Sequence, residues 1–168
     1  MLHVADDHLV LGYVRGSALP RLLAAEPGQA MHAFNLALDG LAYVHRQGQY
    51  LSQAFARNAI VSDKGLVYLD FEDDPRTVMS LPDAQTRDWL ALLLSSVWIC
   101  RASRAAMLAA WRAMEATLDP DVRSRLRHVA RRLAWLRHLP RSRRPWGRDV
   151  VTVQALASFL HDWDPLGL

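Results

Sequence analysis

The sequence predicts an α+β protein that is mostly helical, and three observations carry that prediction. From residue 29 onward, apolar side chains recur every three or four positions over several long stretches, which is the period of amphipathic helices. One hairpin signal, between residues 59 and 69, interrupts them. The resulting order of strand, helices, hairpin and then helices alone differs from the alternating pattern that builds a parallel sheet. At 168 residues the chain is expected to form a single domain, 1–168, burying roughly two thirds of its unfolded surface.

Taken in order, residues 8–14 (HLVLGYV) are apolar and β-branched enough for a strand, which Gly16 closes. Residues 19–25 read as a short helix, opened by Ser17 and Pro20 and stopped by Pro27 and Gly28. Over 29–47, Met31, Phe34, Leu38, Leu41 and Val44 form one helical stripe, and Gly48 ends the helix. Residues 59–61 and 66–69 are short strands flanking Ser62-Asp63-Lys64-Gly65, whose Asp, Lys and Gly suit a hairpin turn. Pro75 and Pro82 punctuate a loop. Residues 83–100 are helical and apolar nearly all round, so this helix should be buried on most sides. Helix continues over 102–118. Asp119 and Pro120, an N-cap and a first-position proline, open a helix over 121–139 with Val122, Leu126, Val129, Leu133 and Leu136 on one stripe. Residues 140–147 form a basic linker, and 151–163 a final helix.

Half of the residues (51%) are apolar and 22% are charged, which places the chain with soluble globular proteins. The single Cys100 excludes an internal disulfide and lies at no metal-ligand spacing, so it reads as a buried structural thiol in a cytosolic protein. The opening MLHVADDHLVLGYVRG has acidic residues where a signal peptide needs basic ones, and no export is expected. The longest apolar run, 89–100, is about twelve residues where a membrane-crossing helix needs about twenty. No integral membrane segment is therefore expected. Net charge of +3 conceals an asymmetry: residues 101–148 hold thirteen arginines against three acids, whereas 61–90 hold seven acids against three bases. The two regions call for separate explanations.

The acidic region follows a loop. In YLSQAFARNAIVSDKGLVYLDFEDDP (50–75), Asn58 precedes one strand and Asp70, Glu72, Asp73 and Asp74 follow its partner. An amide and a carboxylate facing each other across a hairpin mouth offer the oxygen ligands that suit a hard cation such as Mg²⁺. Four carboxylates beside Asn58 would repel one another unless a cation, or Arg57 and Arg76, lay among them.

The longer segment LAYVHRQGQYLSQAFARNAIVSDKGLVYLDFEDDP resembles the catalytic-loop region of the protein-kinase-like fold. In that fold a helix ends in His-x-x-Gly, a catalytic loop carries an Asp and, five residues on, an Asn, and a hairpin leads to Asp-Phe-Gly. Val44, His45 and Gly48 match the helix end, Asn58 the metal-binding Asn, and Asp70 the metal-binding Asp. Glu72 in place of Gly is like the atypical bacterial branch of lipopolysaccharide-core and RIO-type kinases, and makes Glu72 a further metal candidate. Upstream, DDHLVLGYVRGSALPRLL is similar to the last N-lobe strand, the hinge and the first C-lobe helix; downstream, QTRDWLALLLSS resembles the central C-lobe helix. The resemblance implies that Asp88 binds catalytic-loop backbone amides and, with Arg57, has a supporting role. It covers roughly residues 9–96 and implies a kinase-like C-lobe: a hinge or strand remnant over 1–16, the catalytic-loop core over 17–100, and a basic helical part over 101–168.

Two departures qualify the implied chemistry. Five residues before Asn58 stands Gln53, where the family keeps its catalytic base, and Leu51 stands where protein kinases have His. An amide can orient a hydroxyl but cannot take its proton, help that is typically worth about 10²–10⁴-fold. Phosphoryl transfer rests mainly on positioning and charge neutralisation, so it can outlast the loss of a base. The second departure is the front lobe: before His8 there is no room for a Gly-rich loop, and Lys64, the only lysine, lies in the hairpin turn.

Outside this segment the signals are weaker. The seven histidines show no metal-ligand spacing and read as surface or core residues. The helix DVRSRLRHVARRLAWLRHL sets six arginines against one apolar stripe, and RSRRPWGR adds a basic linker with Trp146. Residues 121–148 could thus meet an anionic substrate, a lipid surface or a protein partner, while no recognised nucleic-acid reading module accompanies them. The expectation is a kinase-like phosphotransferase, or its C-lobe, using ATP and Mg²⁺ on an anionic acceptor; the alternative is a catalytically impaired, pseudokinase-like binding module. A cytoplasmic location is expected, with peripheral contact to the inner membrane face through the basic helices.

Overall fold

The computed structural model describes residues 3–4, 9–10, 12–69 and 74–164. β1 (His3–Val4) and β2 (Leu9–Val10) form a two-residue antiparallel ribbon with His3 opposite Val10. The other strands make one antiparallel sheet in the order β3 (Ser17–Ala18), β4 (Ala59–Ser62), β5 (Gly65–Tyr68), with Ser17 opposite Val61 and Ala59 opposite Tyr68. Around it stand six helices among the described residues: α1 (Leu19–Leu23), α2 (Pro27–Arg46), α3 (Leu81–Ser96), α4 (Arg104–Glu115), α5 (Pro120–Leu133) and α6 (Arg148–Trp163). The protein is α+β and mostly helical, with its small sheet at the mouth of the loop that precedes β4.

Local chemistry explains most of the boundaries. Glu26 accepts the Gln29 N–H and Pro27 follows it, so Pro27 opens α2 instead of stopping the helix before it. Gly48, at φ +70°, closes α2, with the Gln49 N–H returning to the Val44 carbonyl. Ser80, Ser103 and Asp119 cap α3, α4 and α5 through their side-chain oxygens. Elsewhere the tertiary structure redraws the expected elements. Among the described residues of 8–14, strand covers Leu9–Val10, and Tyr13 is exposed. Ser17, expected to open a helix, pairs in β3. α3 stops at Ser96, short of Cys100. The helix expected to run to 139 changes after Leu133 into a 3₁₀ turn, Ala134–His138, which packs on α6. Cys100 is half-buried, with its sulfur 3.8 Å from the Ala30 carbonyl, and burial pushes its thiol up.

α3 is buried on most of its circumference, as its near-continuous apolar character predicts. Its Trp89 is fully buried and sits edge-to-face with Trp111 of α4 at 5.4 Å, which meets Trp163 of α6 at 5.7 Å. Such pairs add directional preference to the large area that aromatic rings remove from water. With Phe34, Phe159, Leu92, Leu93 and Leu126, they make a continuous core joining α2 to α6.

Two glycines set how closely the hairpin meets its neighbours, Gly40 on the α2 side and Gly16 on the β3 side. A Cβ at Gly40 would lie 2.8 Å from Leu66 Cδ2, so its absence lets β5 approach the helix. A Cβ at Gly16 would lie 2.4 Å from the Val61 carbonyl oxygen, on the rung beside which β3 pairs with β4. Backbone cannot yield there without breaking the ladder. Gly16→Ala is therefore expected to destabilise the fold by about 1–3 kcal/mol in urea unfolding.

Beside Gly40, the Tyr68 hydroxyl is buried and has no hydrogen-bond partner among the described residues. Burial raises its pKa far above the ordinary 10.0, with Asp88 a lesser contributor. The folded state thus retains this proton above pH 10, where the unfolded chain releases it, so the contribution is intact below pH 10 and declines as pH rises above it. Tyr68→Phe should leave stability at neutral pH unchanged or raise it by up to about 1 kcal/mol, since it deletes an unpaired buried hydroxyl. The variant should also lose stability less steeply than the parent above pH 10, a difference that urea midpoints across pH would record.

Candidate functional site

The loop 49–58 runs from the end of α2 to β4, and its shape is set from α3. Asp88 is completely buried, and its Oδ2 accepts the Leu51 N–H at 2.7 Å and lies 3.1 Å from His45 Nε2. A carboxylate oxygen accepts, so the His45 tautomer that would bond here is the one with its proton on Nε2. One turn earlier on α3, Gln85 Nε2 donates to the carbonyls of His45 (3.2 Å) and Gln49 (3.0 Å). Farther along, Ser95 Oγ accepts the Ala56 N–H at 2.8 Å. Positions 85, 88 and 95 lie on one helical face, a polar stripe that docks the loop at three points.

Between these anchors the loop turns tightly. Ser52 is buried at φ +61°, and the Gln53 and Phe55 N–H groups donate to the carbonyls two residues before them. Asn58 is buried at the end of a 3₁₀ turn (Ala56–Asn58), and its Nδ2 donates to the Gln53 carbonyl at 3.1 Å. This turns the Asn58 amide oxygen, the atom able to ligate a hard cation, away from Gln53. Gln53 itself is half-buried in the middle of the loop. Arg57 is exposed, with its guanidinium 4.2 Å from the centre of the Phe55 ring. Arg76 reaches the Met79 carbonyl.

Asp70 and Glu72 lie outside the described residues, as do Phe71 and Asp73. The residues on either side of that segment are both bonded to the loop. Leu69 N–H donates to the Asn58 carbonyl at 2.8 Å, and Tyr50 OH donates to Asp74 Oδ1. That bond, foremost, raises the Tyr50 pKa. Asp74 also accepts the Arg76 N–H and so caps the 3₁₀ turn Pro75–Thr77. Among the described residues no three His, Cys, Asp or Glu side chains converge as a metal-holding group.

The basic region lies elsewhere, and much of its charge is met within the chain. Arg127 pairs with Glu115 at 3.0 Å, Arg123 lies 3.9 Å from the same carboxylate, Arg125 reaches Asp83, and Arg131 lies 3.5 Å from Asp164. Ser80's hydroxyl, with Arg125, holds the Asp83 carboxyl below its ordinary value. Arg143 of the linker and Arg148 at the start of α6 lie 5.5 and 5.9 Å over the Trp98 ring, while Trp146 is exposed. Among the described residues no helix is long and apolar enough to cross a membrane.

Sequence reasoning singled out Asp88 but missed Gln85, Ser95 and Tyr50. The first two had a readable signal, polar residues at helical spacing from Asp88 on α3. The Tyr50–Asp74 bond had none, because it depends on where a loop returns. No protein family, curated protein or solved structure matches the chain.

Asp88→Ala would leave the Leu51 N–H and His45 Nε2 without their acceptor in a buried place. It is expected to cost about 2–5 kcal/mol and to expose 49–58 to proteolysis, whereas Asp88→Asn, which retains one oxygen acceptor, should cost less. Urea unfolding and limited proteolysis of both variants measure the difference.

Proposed function

We propose that the chain is the C-lobe of a kinase-like phosphotransferase, using ATP and Mg²⁺ on an anionic acceptor. The observation that carries this reading is that the residues flanking 70–73 are both bonded to the loop, Leu69 to Asn58 and Asp74 to Tyr50. Leu69 and Asp74, which flank the acidic stretch in sequence, are thereby tied to the loop that holds Gln53 and Asn58. The Asp88 carboxylate on a loop amide accords with the supporting role that the resemblance implies for it.

In this reading Asn58 and Asp70, with Glu72 beside them in sequence, would hold the magnesium ion through oxygen. The ion would supply charge neutralisation to the phosphates, on which phosphoryl transfer chiefly depends. Gln53 would orient the acceptor hydroxyl without removing its proton, so transfer would be slower than with a carboxylate base. Gln53 also favours a second reading, a pseudokinase-like module that binds through its cleft or basic helices without catalysing transfer.

Thermal unfolding with ATP and MgCl₂, together and singly, tests the proposal. At a hundred times its dissociation constant, nucleotide should stabilise by about 2.7 kcal/mol, or roughly 5–10 °C for a chain of this size. Asp70→Asn should abolish the magnesium dependence of that shift. A folded sample with no shift would overturn the phosphotransferase reading and leave the binding module; a shift unaltered in Asp70→Asn would overturn the metal assignment.

A further inference from the structure

A second cavity, of about 540 Å³, opens between the start of α4, the 3₁₀ turn Ala134–His138 and α6, and shares no residue with the loop 49–58. Its walls carry three guanidinium groups, those of Arg104, Arg137 and Arg141, against one carboxylate, Asp162. The imidazoles of His138 and His161 complete the rim.

Two of the arginines are held in place. Arg104 Nε donates to Asp162 at 2.6 Å, and its guanidinium carbon lies 5.7 Å from the centre of the Phe159 ring. Its Nη2 is buried with no acceptor among the described residues. Arg137 donates from Nη1 to the Ala134 carbonyl at 2.6 Å, and the buried Gln154 donates to Arg137's own carbonyl at 2.9 Å. Gln154 also donates to Ser158 Oγ at 2.9 Å, which orients a hydroxyl on the cavity wall. Positioned guanidinium groups lose little freedom when they bind an oxyanion, and their planar fork fits phosphate oxygens in pairs.

We propose that this cavity binds a phosphate monoester, with Arg104 and Arg137 gripping the phosphate and Arg141 closing over it from the linker. The volume exceeds a bare phosphate and falls in the range of small-molecule sites, so the ester portion occupies the remainder. Asp162 opposes an anion in the cavity, but its carboxylate is paired with Arg104, and three guanidinium groups against this one carboxylate leave the wall cationic. The site stands independently of the reading of the loop and hairpin.

Isothermal titration with glucose 6-phosphate, inorganic phosphate and glucose tests it, beside flotation with phosphatidylcholine vesicles lacking or containing phosphatidic acid. Glucose 6-phosphate should bind saturably and glucose should not. Arg104→Gln and Arg141→Gln should each weaken binding about tenfold or more, the loss expected for one charge-assisted pair. Arg132→Gln, an exposed arginine of α5 outside the cavity, should leave it unchanged. Arg141 lies exposed in the linker, so its variant tests the site without burdening the fold. Vesicle binding that depends on phosphatidic acid and is weakened by Arg141→Gln would identify a lipid headgroup as the source of the same monoester. The proposal is overturned if neither glucose 6-phosphate nor phosphatidic acid binds, or if Arg132→Gln weakens binding as much as the cavity variants do.

Discussion

Asp88 is a carboxylate taken wholly out of water, and its Oδ2 is the atom that meets donors, while Oδ1 has no partner among the described residues. Its oxygen gathers the Leu51 amide and the His45 imidazole, so the end of α2, the loop 49–58 and the middle of α3 are joined at one point. The constraint extends inward. His45 meets Trp89 edge-on at 5.4 Å, and Trp89 leads through Trp111 to Trp163. The loop thus takes its position from the aromatic core, which is close-packed and resists small displacements. Gln85 and Ser95 add anchors on the same face of α3.

From this fixed loop the hairpin inherits its place. The loop ends at Asn58, whose side chain returns to Gln53 and whose carbonyl begins the pairing with β5 through Leu69. The glycines then decide how closely the strands approach: Gly16 lets β3 lie beside the Val61 carbonyl, and Gly40 lets Leu66 and Tyr68 settle on α2. Both contacts serve the same end, a small sheet held against a helix, at the mouth where the acidic segment begins. Three strands of two to four residues would be marginal alone.

The arginines divide by surroundings and not by position in the chain. On α5, Arg123, Arg125, Arg127 and Arg131 each reach an acid from another element or from beyond the helix. The Arg125–Asp83 pair, exposed on both sides, contributes little to stability, whereas Arg127 meets a Glu115 carboxylate that is only 8% exposed and would lose its nearer charge partner if the arginine were removed. Arg143 and Arg148 cover the Trp98 ring. Arg104 and Arg137 are instead positioned by neighbours around a cavity. A basic stretch that reads as one surface in sequence is therefore several environments in space.

The sequence by itself determined the α+β class, the hairpin, the buried character of α3 and the capped start of α5, because these follow from periodicity and from a side chain bonding to its own backbone. It also brought Asn58 and Asp88 into view as members of one region, though not what either touches. Boundaries that depend on partners were beyond it. Ser17 became strand because Val61 lay opposite, and the arginine helix changed to a 3₁₀ turn where it met α6. Only the tertiary structure joined Tyr50 to Asp74, 24 residues apart, and Arg104 to Asp162, 58 apart. The physical reason is the same in each case: local propensity acts over a few residues, whereas a buried donor or charge takes whatever partner the packing of the whole chain brings to it.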